Sequence, residues 1–151
     1  MKLTEVLRPE CVKVPLAAVT KNEAIGELVD LLDQAGLLRS RDDVLRAILE
    51  REAHRSTGIG HGLAIPHGKC DRCDRLVMAI GKTDTPIDFG SLDGAPVTII
   101  VLLASPLDQT GPHIQALARI SRLMTVETTR NQIFKADSAE ALYAIIADQE
   151  S

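Results

Sequence analysis

Ala24, Ile25, Leu28, Val29, Leu32 and Ala35 recur with the period of an α-helix. Thr20 stands before them with Glu23 three residues on, the spacing of a capping box, and Gly36 stands where the helix should stop. Ser40 opens a second helix whose buried stripe is Val44, Leu45, Ile48 and Leu49, running out near 51–54. Ahead of both, CVKVPL (11–16) reads as a short strand. Farther along, LVMAI (76–80) and VTIIVLL (97–103) are apolar without alternation, so each predicts a strand covered on both faces. The segment between them, TPIDFGSLDGAP (85–96), is turn-rich with room for one short strand. Pro112 can open a third helix with Ile114, Leu117, Ala118 and Ser121 on its face. Helical segments follow near 127–135 and from the Asp137/Glu140 cap to about Asp148. This order predicts an α/β fold, a three-layer α/β/α sandwich around a small mixed β-sheet.

Composition narrows the picture. A length of 151 residues with 45% hydrophobic residues suits one domain spanning 1–151, and no repeat, low-complexity tract or linker divides it. The net charge of −4, with both signs mixed along the chain, gives no footprint for nucleic acid or an anionic membrane. Aromatic residues are 2%, too few for base-stacking platforms. The start, MKLTEVLRPECV, lacks the apolar core of a signal peptide, and VTIIVLLA (97–104) is strand-sized, well short of a membrane span. A soluble, cytoplasmic protein without membrane insertion is expected. Cys11, Cys70 and Cys73 form no disulfide framework, which agrees with a reducing compartment.

The stretch with chemical content is STGIGHGLAIPHGK (56–69). Gly58, Gly60 and Gly62 permit backbone angles in which successive N–H groups turn inward as an anion nest, with the hydroxyls of Ser56 and Thr57 at its mouth. Arg51, near the end of the second helix, supplies a permanent charge in a fork that suits phosphate oxygens. Leu63–Ile65 would form a strand ending at Pro66, which presents the imidazole of His67 from a stiff position. The same residues read equally as a tight helix-to-strand connection with an ordinary half-buried histidine. His113 also follows a proline, at a helix start, where the dipole favours a neutral imidazole able to donate to an anion; a solvent-exposed helix-start residue is the plainer reading. His54 reads as a surface residue.

Other templates fit less well. Gly62 to Lys69 imitates a P-loop, but five residues separate its glycines and Cys70 stands where magnesium needs Ser or Thr. No G-x-S-x-G elbow is present. His61, His67, Cys70 and Cys73 make H-x5-H-x2-C-x2-C, the serious rival as a zinc or redox module. Against it, three ligands spaced by three would crowd a tetrahedral site, and no second pair lies at the usual distance.

The run from Arg51 to Lys69 closely resembles the phosphorylation-site signature of enzyme IIA of the fructose/mannitol/nitrogen type, from the bacterial phosphoenolpyruvate-dependent phosphotransferase system. LTEVLRPECVKV, DFGSLDGAPVTIIVLLASP and PHIQALARISRLM resemble that family too. The resemblance implies that His67 receives a phosphoryl group from the histidine-containing phosphocarrier protein and hands it to a cysteine of a IIB domain. It makes His113 the second active-site histidine, Arg51 the arginine beside it, and Ser56, Thr57 and Gly58 the lining loop. Gly60 belongs with these as part of the expected phosphate cradle. Phosphoryl transfer of this kind requires no metal and no organic cofactor. An apolar rim of Ile59, Leu63 and Ile65 would suit a docking carrier. Two departures stand out: His61 replaces a small polar residue of many relatives, and the Cys70–Cys73 pair is foreign to the pattern. The opening LTEVLRPECV looks closer to the nitrogen-regulatory branch, in which phosphorylation of His67 would switch affinity for a regulatory target and no sugar would be transported.

Overall fold

The structure, a computed structural model, describes residues 1–150. A 3-10 turn (Leu3–Glu5) leads into β1 (Leu7–Leu16), then α1 (Lys21–Gln34), α2 (Arg41–His54), β2 (Gly58–Gly60), β3 (Leu63–Ala64) and β4 (His67–Lys69). The second half holds β5 (Val77–Ile87), β6 (Val97–Ser105), α3 (Thr110–Thr125), α4 (Glu127–Lys135) and α5 (Ala139–Glu150). β6 is the spine of a mixed sheet. Antiparallel β5 lies on one side of it, with β1 parallel to β5 beyond. On its other side β3 and β4 pair with successive parts of β6, both parallel, and β2 folds back antiparallel on β3. Helices α1 and α2 pack together over one face of the sheet, and α3, α4 and α5 form the other layer. The three-layer α/β/α expectation therefore stands.

The local chemistry explains the helices. The Thr20 hydroxyl accepts from the Glu23 N–H at 3.3 Å while the Glu23 carboxylate accepts from the Thr20 N–H at 3.2 Å, the reciprocal box read from the sequence. Such a cap contributes about 1 kcal/mol. Ser40 caps α2 through the Asp43 N–H at 3.3 Å. The buried face of α1 is Ala24, Ile25, Leu28, Val29 and Leu32, laid on a sheet whose central strands are buried almost without interruption.

Several elements depart from expectation for identifiable reasons. β1 begins at Leu7, because exposed Arg8, Pro9 and Glu10 mask a strand that lies at the sheet edge. β5 continues to Ile87 through exposed Asp84, Thr85 and Pro86, so 85–96 holds the end of a strand and a turn. Pro112 lies in the first turn of α3, which opens at Thr110. The buried face of that helix is His113, Ala116, Ile120 and Met124; Ile114 and Ala118, expected inside, are exposed. The apolar stripe is rotated because His113 takes a core position.

Leu63–Ile65 does not run as one strand into Pro66. Leu63 and Ala64 pair with Ile99 and Ile100, the line breaks at Ile65–Pro66, and pairing resumes with His67 opposite Leu103. The Pro66 carbonyl accepts from the Leu103 N–H at 3.0 Å, so the residue faces β6, and its missing N–H leaves the gap in the ladder there. His67 thus opens a strand instead of closing one.

Gly68 positions the neighbouring helix. A Cβ there would stand 3.2 Å from Cγ1 of Ile48 and 3.3 Å from the carbonyl carbon and oxygen of Ala47. Without one, α2 settles onto β4, and Arg51, about one turn past Ala47, comes alongside His67. Gly68→Val should lift the helix and cost about 1–3 kcal/mol in urea denaturation. A wild-type midpoint would show that α2 has slack the packing does not suggest.

Candidate active site

His67 and His113 meet across the surface end of the sheet. Their ring centroids are 5.3 Å apart at an interplanar angle of 63°, an edge-to-face arrangement. Nδ1 of His67 lies 2.7 Å from the Ile65 carbonyl oxygen. A carbonyl only accepts, so Nδ1 carries the proton and Nε2 keeps a free lone pair. Nδ1 of His113 lies 2.7 Å from Oγ of Ser105, at the end of β6. Each ring has spent Nδ1, and both line a hollow of about 530 Å³ together with Arg51, His54 and Lys69.

Burial governs the charge of both imidazoles. It pushes His67 below the usual imidazole range; the Ile65 carbonyl opposes the shift, and the Arg51 guanidinium adds to it. His113, 4% exposed, is lowered to about 4 by burial first, then by His67 and Lys69. Both are neutral at pH 7. The permanent charges come from Arg51, whose Nη1 donates to the Arg55 carbonyl at 3.0 Å at the end of α2, and from Lys69, whose ammonium donates to Thr110 Oγ1 at 2.8 Å. An anion entering the hollow would find Arg51 and Lys69 beside the two neutral imidazoles, with the Glu50 carboxylate also on the lining.

The loop residues are placed differently from the cradle read from the sequence. The Thr57 hydroxyl donates to the buried Glu52 carboxylate, and the Thr57 N–H donates to the same group at 2.9 Å. Lys21 Nζ pairs with Glu52 at 2.8 Å and donates to the Phe89 carbonyl at 3.2 Å. The Ser56 hydroxyl donates to that carbonyl at 2.6 Å and accepts from the Gly58 N–H at 3.0 Å. These donors are committed to the protein, which fastens the loop instead of leaving hydroxyls for a ligand. Gly60, His61 and Gly62 take positive φ values of 99°, 57° and 76° and make the turn between β2 and β3. A Cβ on Gly60 would face Asp93, and that on Gly62 would face Phe134. Ser56, Thr57 and Gly58 do line a second hollow of about 280 Å³ that adjoins Arg51 and His67.

Of the expected apolar rim, Leu63 and Ile65 are core, while Ile59 is 45% exposed. Leu92, at 76% exposure, and half-buried Leu117 complete the rim instead. His61, His67, Cys70 and Cys73 are not gathered: among the described residues no group of three or more metal-ligating side chains forms. The Cys73 thiol donates to the Cys70 carbonyl at 3.3 Å, and burial pushes it up to about 11, leaving it unreactive. Sequence reasoning missed Glu52, although it lies four residues beyond Ile48 on the buried stripe of α2. It also missed Ser105, which ends an apolar run and carries no motif.

A family model described as phosphoenolpyruvate-dependent sugar phosphotransferase system, EIIA 2, matches residues 5–149. The chain belongs to that family. It is 38% identical over 146 residues to the PTS system fructose-specific EIIABC component of Bacillus subtilis, covering 97% of this chain and 23% of that protein. It is 36% identical over 151 residues to the nitrogen regulatory protein of Escherichia coli, covering 99% of this chain and 92% of that one. The crystal structure of nitrogen regulatory protein IIA-Ntr from Neisseria meningitidis matches with a TM-score of 0.87 at 30% identity, covering 95% of this chain and 98% of that one. EIIA chains are phosphotransferase components of this system. In this EIIA chain the two imidazoles face each other within the matched residues.

The buried histidine makes stability depend on pH. An unfolded imidazole takes up its proton near 6.5, whereas folded His113 does so only near 4, so the unfolded state binds more protons between those values. Stability must then fall as the pH falls through that window, and His67 adds in the same direction. Relative to His113→Gln, the wild type should lose up to about 3 kcal/mol more in urea denaturation between pH 6.5 and pH 4. Parallel curves for the two proteins would mean that His113 takes up protons freely when folded.

Proposed function

We propose that His67 accepts a phosphoryl group on Nε2 from the phosphohistidine of the histidine-containing phosphocarrier protein. The observation that carries this reading is the hydrogen bond from Nδ1–H of His67 to the Ile65 carbonyl, which leaves Nε2 unprotonated in a hollow shared with Arg51 and His113. The Nε2 lone pair attacks phosphorus in line; the new N–P bond forms as the carrier's P–N bond breaks, and the carrier's imidazole keeps that electron pair. Nδ1–H stays on the Ile65 carbonyl, so the phosphorylated ring is cationic and remains a good leaving group. The guanidinium of Arg51 offsets the phosphoryl charge, and neutral His113 donates a hydrogen bond to a phosphoryl oxygen.

The onward step is the mirror of the first. A partner's thiolate attacks phosphorus, an S–P bond forms, and the His67 lone pair is restored. The acceptor is a IIB domain or permease, a reading supported by similarity to a fructose-specific relative whose name joins components A, B and C. Regulatory use shares the first step and replaces the acceptor with a target protein, and similarity to the Escherichia coli nitrogen regulatory protein over 92% of its length supports it. Residues 1–151 act as one domain in the cytoplasm. Among the described residues no helix is long and apolar enough to cross a membrane.

Intact mass measured after incubation with phosphoenolpyruvate, enzyme I and the phosphocarrier protein tests the proposal. The wild type should gain one acid-labile phosphoryl group, and His67→Ala, folded by circular dichroism, should gain none. A phosphorylated His67→Ala, or an unphosphorylated wild type, would overturn it.

A further inference from the structure

Resting on the phosphotransfer reading, we infer that Ser105 is a positioning residue that fixes the proton of His113 on Nε2, so that this imidazole presents a donor to the phosphoryl group on His67. Ser105 is fully buried at the end of β6. Its register partner is Lys69, and its neighbour two residues back, Leu103, pairs with His67. With a period of two, Ser105 therefore lies on the sheet face that carries His67 and receives α3.

The direction of the Ser105–His113 hydrogen bond follows from counting protons. Among the described residues the Ser105 hydroxyl has one hydrogen-bonding partner, Nδ1 of His113, at 2.7 Å. If Nδ1 carried the proton and donated, the hydroxyl hydrogen would be buried with no acceptor, a state folded proteins avoid. If the hydroxyl donates instead, both groups are satisfied: Nδ1 accepts and the ring proton sits on Nε2. The Ser105 backbone is itself held, its carbonyl accepting from the Cys70 N–H at 2.8 Å just past β4. The serine is thus tied to the strand that carries His67 and to the helix that carries His113.

The consequence is chemical. A phosphoryl group on His67 is an array of acceptors, and a His113 lone pair turned toward it would repel it. With Nδ1 occupied by Ser105, Nε2–H is the available face of the ring. The two imidazoles then have opposite tautomers: His67 is protonated at Nδ1 and nucleophilic at Nε2, whereas His113 accepts at Nδ1 and donates at Nε2. One is set by a backbone carbonyl and the other by a hydroxyl, each at 2.7 Å.

Long-range proton–nitrogen correlation spectra of histidine-labelled protein read both tautomers directly. The wild type should give Nε2–H for His113, and Ser105→Ala should convert part or all of it to Nδ1–H. In the same variant, transfer from phospho-His67 to its acceptor should slow by roughly tenfold or more while the His67 tautomer is unchanged. Ser105→Thr, which keeps the hydroxyl, should restore both signals. A wild-type His113 protonated at Nδ1, or a Ser105→Ala protein that retains Nε2–H and the wild-type rate, would overturn the assignment. A wild-type spectrum with His113 protonated at Nδ1 overturns it even if neither variant folds. An unphosphorylated wild type with the stated tautomers would remove the phosphotransfer reading and leave the Ser105–His113 pairing standing.

Discussion

The site depends on one hydrogen bond, from Nδ1–H of His67 to the Ile65 carbonyl two residues earlier. The Ile65 N–H donates to the Thr57 carbonyl on the side away from β6, and the Thr57 N–H goes to Glu52, so the Ile65 carbonyl is free to face the ring. Pro66, facing β6 without an N–H, interrupts the ladder and fixes the backbone on the approach to His67. Gly68 follows, and its lack of a side chain brings α2 and Arg51 to the same place. Residues 65–68 therefore set the tautomer of His67 and bring Arg51 alongside it.

Charge is distributed so that the site is positive yet nucleophilic. Burial keeps both imidazoles neutral, and their lost solvation is offset by hydrogen bonds that use one nitrogen of each ring. Arg51 and Lys69 hold the fixed charge at the rim, where partial solvation lowers the cost of keeping it. The carboxylate nearest the loop, Glu52, is turned inward and matched by Lys21 and Thr57, so it fastens residues 56–58 without presenting its charge to an incoming anion. For the proposed transfer, this division would let one small region hold a dianion while leaving the nucleophile its free lone pair.

Much of this was legible in the sequence, and the illegible part has a common cause. The helices were readable because caps and periodicity are local; Thr20, Glu23 and Ser40 act within one turn. The central strands were readable because they are apolar on both faces. β2, β3 and β4 span three, two and three residues; β6, from elsewhere in the chain, pairs β3 and β4, and β2 pairs β3, so no local pattern announces them. His67, His113 and Arg51 were visible through the motif and are brought together. The functions of Ser56 and Thr57 were not, because a hydroxyl's partner is a tertiary fact; both turned out to serve the Glu52 and Phe89 anchors. The face of α3 was misjudged because a buried histidine, the residue of interest, displaced the hydrophobic stripe that periodicity alone would choose.

The central claim is that the Ile65 carbonyl, by holding Nδ1–H, leaves Nε2 of His67 as the nucleophile. Phosphorus–nitrogen coupling in the phosphorylated, histidine-labelled protein measures it most directly. The account predicts coupling to Nε2 of His67 with Nδ1 still protonated; phosphorus coupled to Nδ1, or to any other histidine, would contradict it.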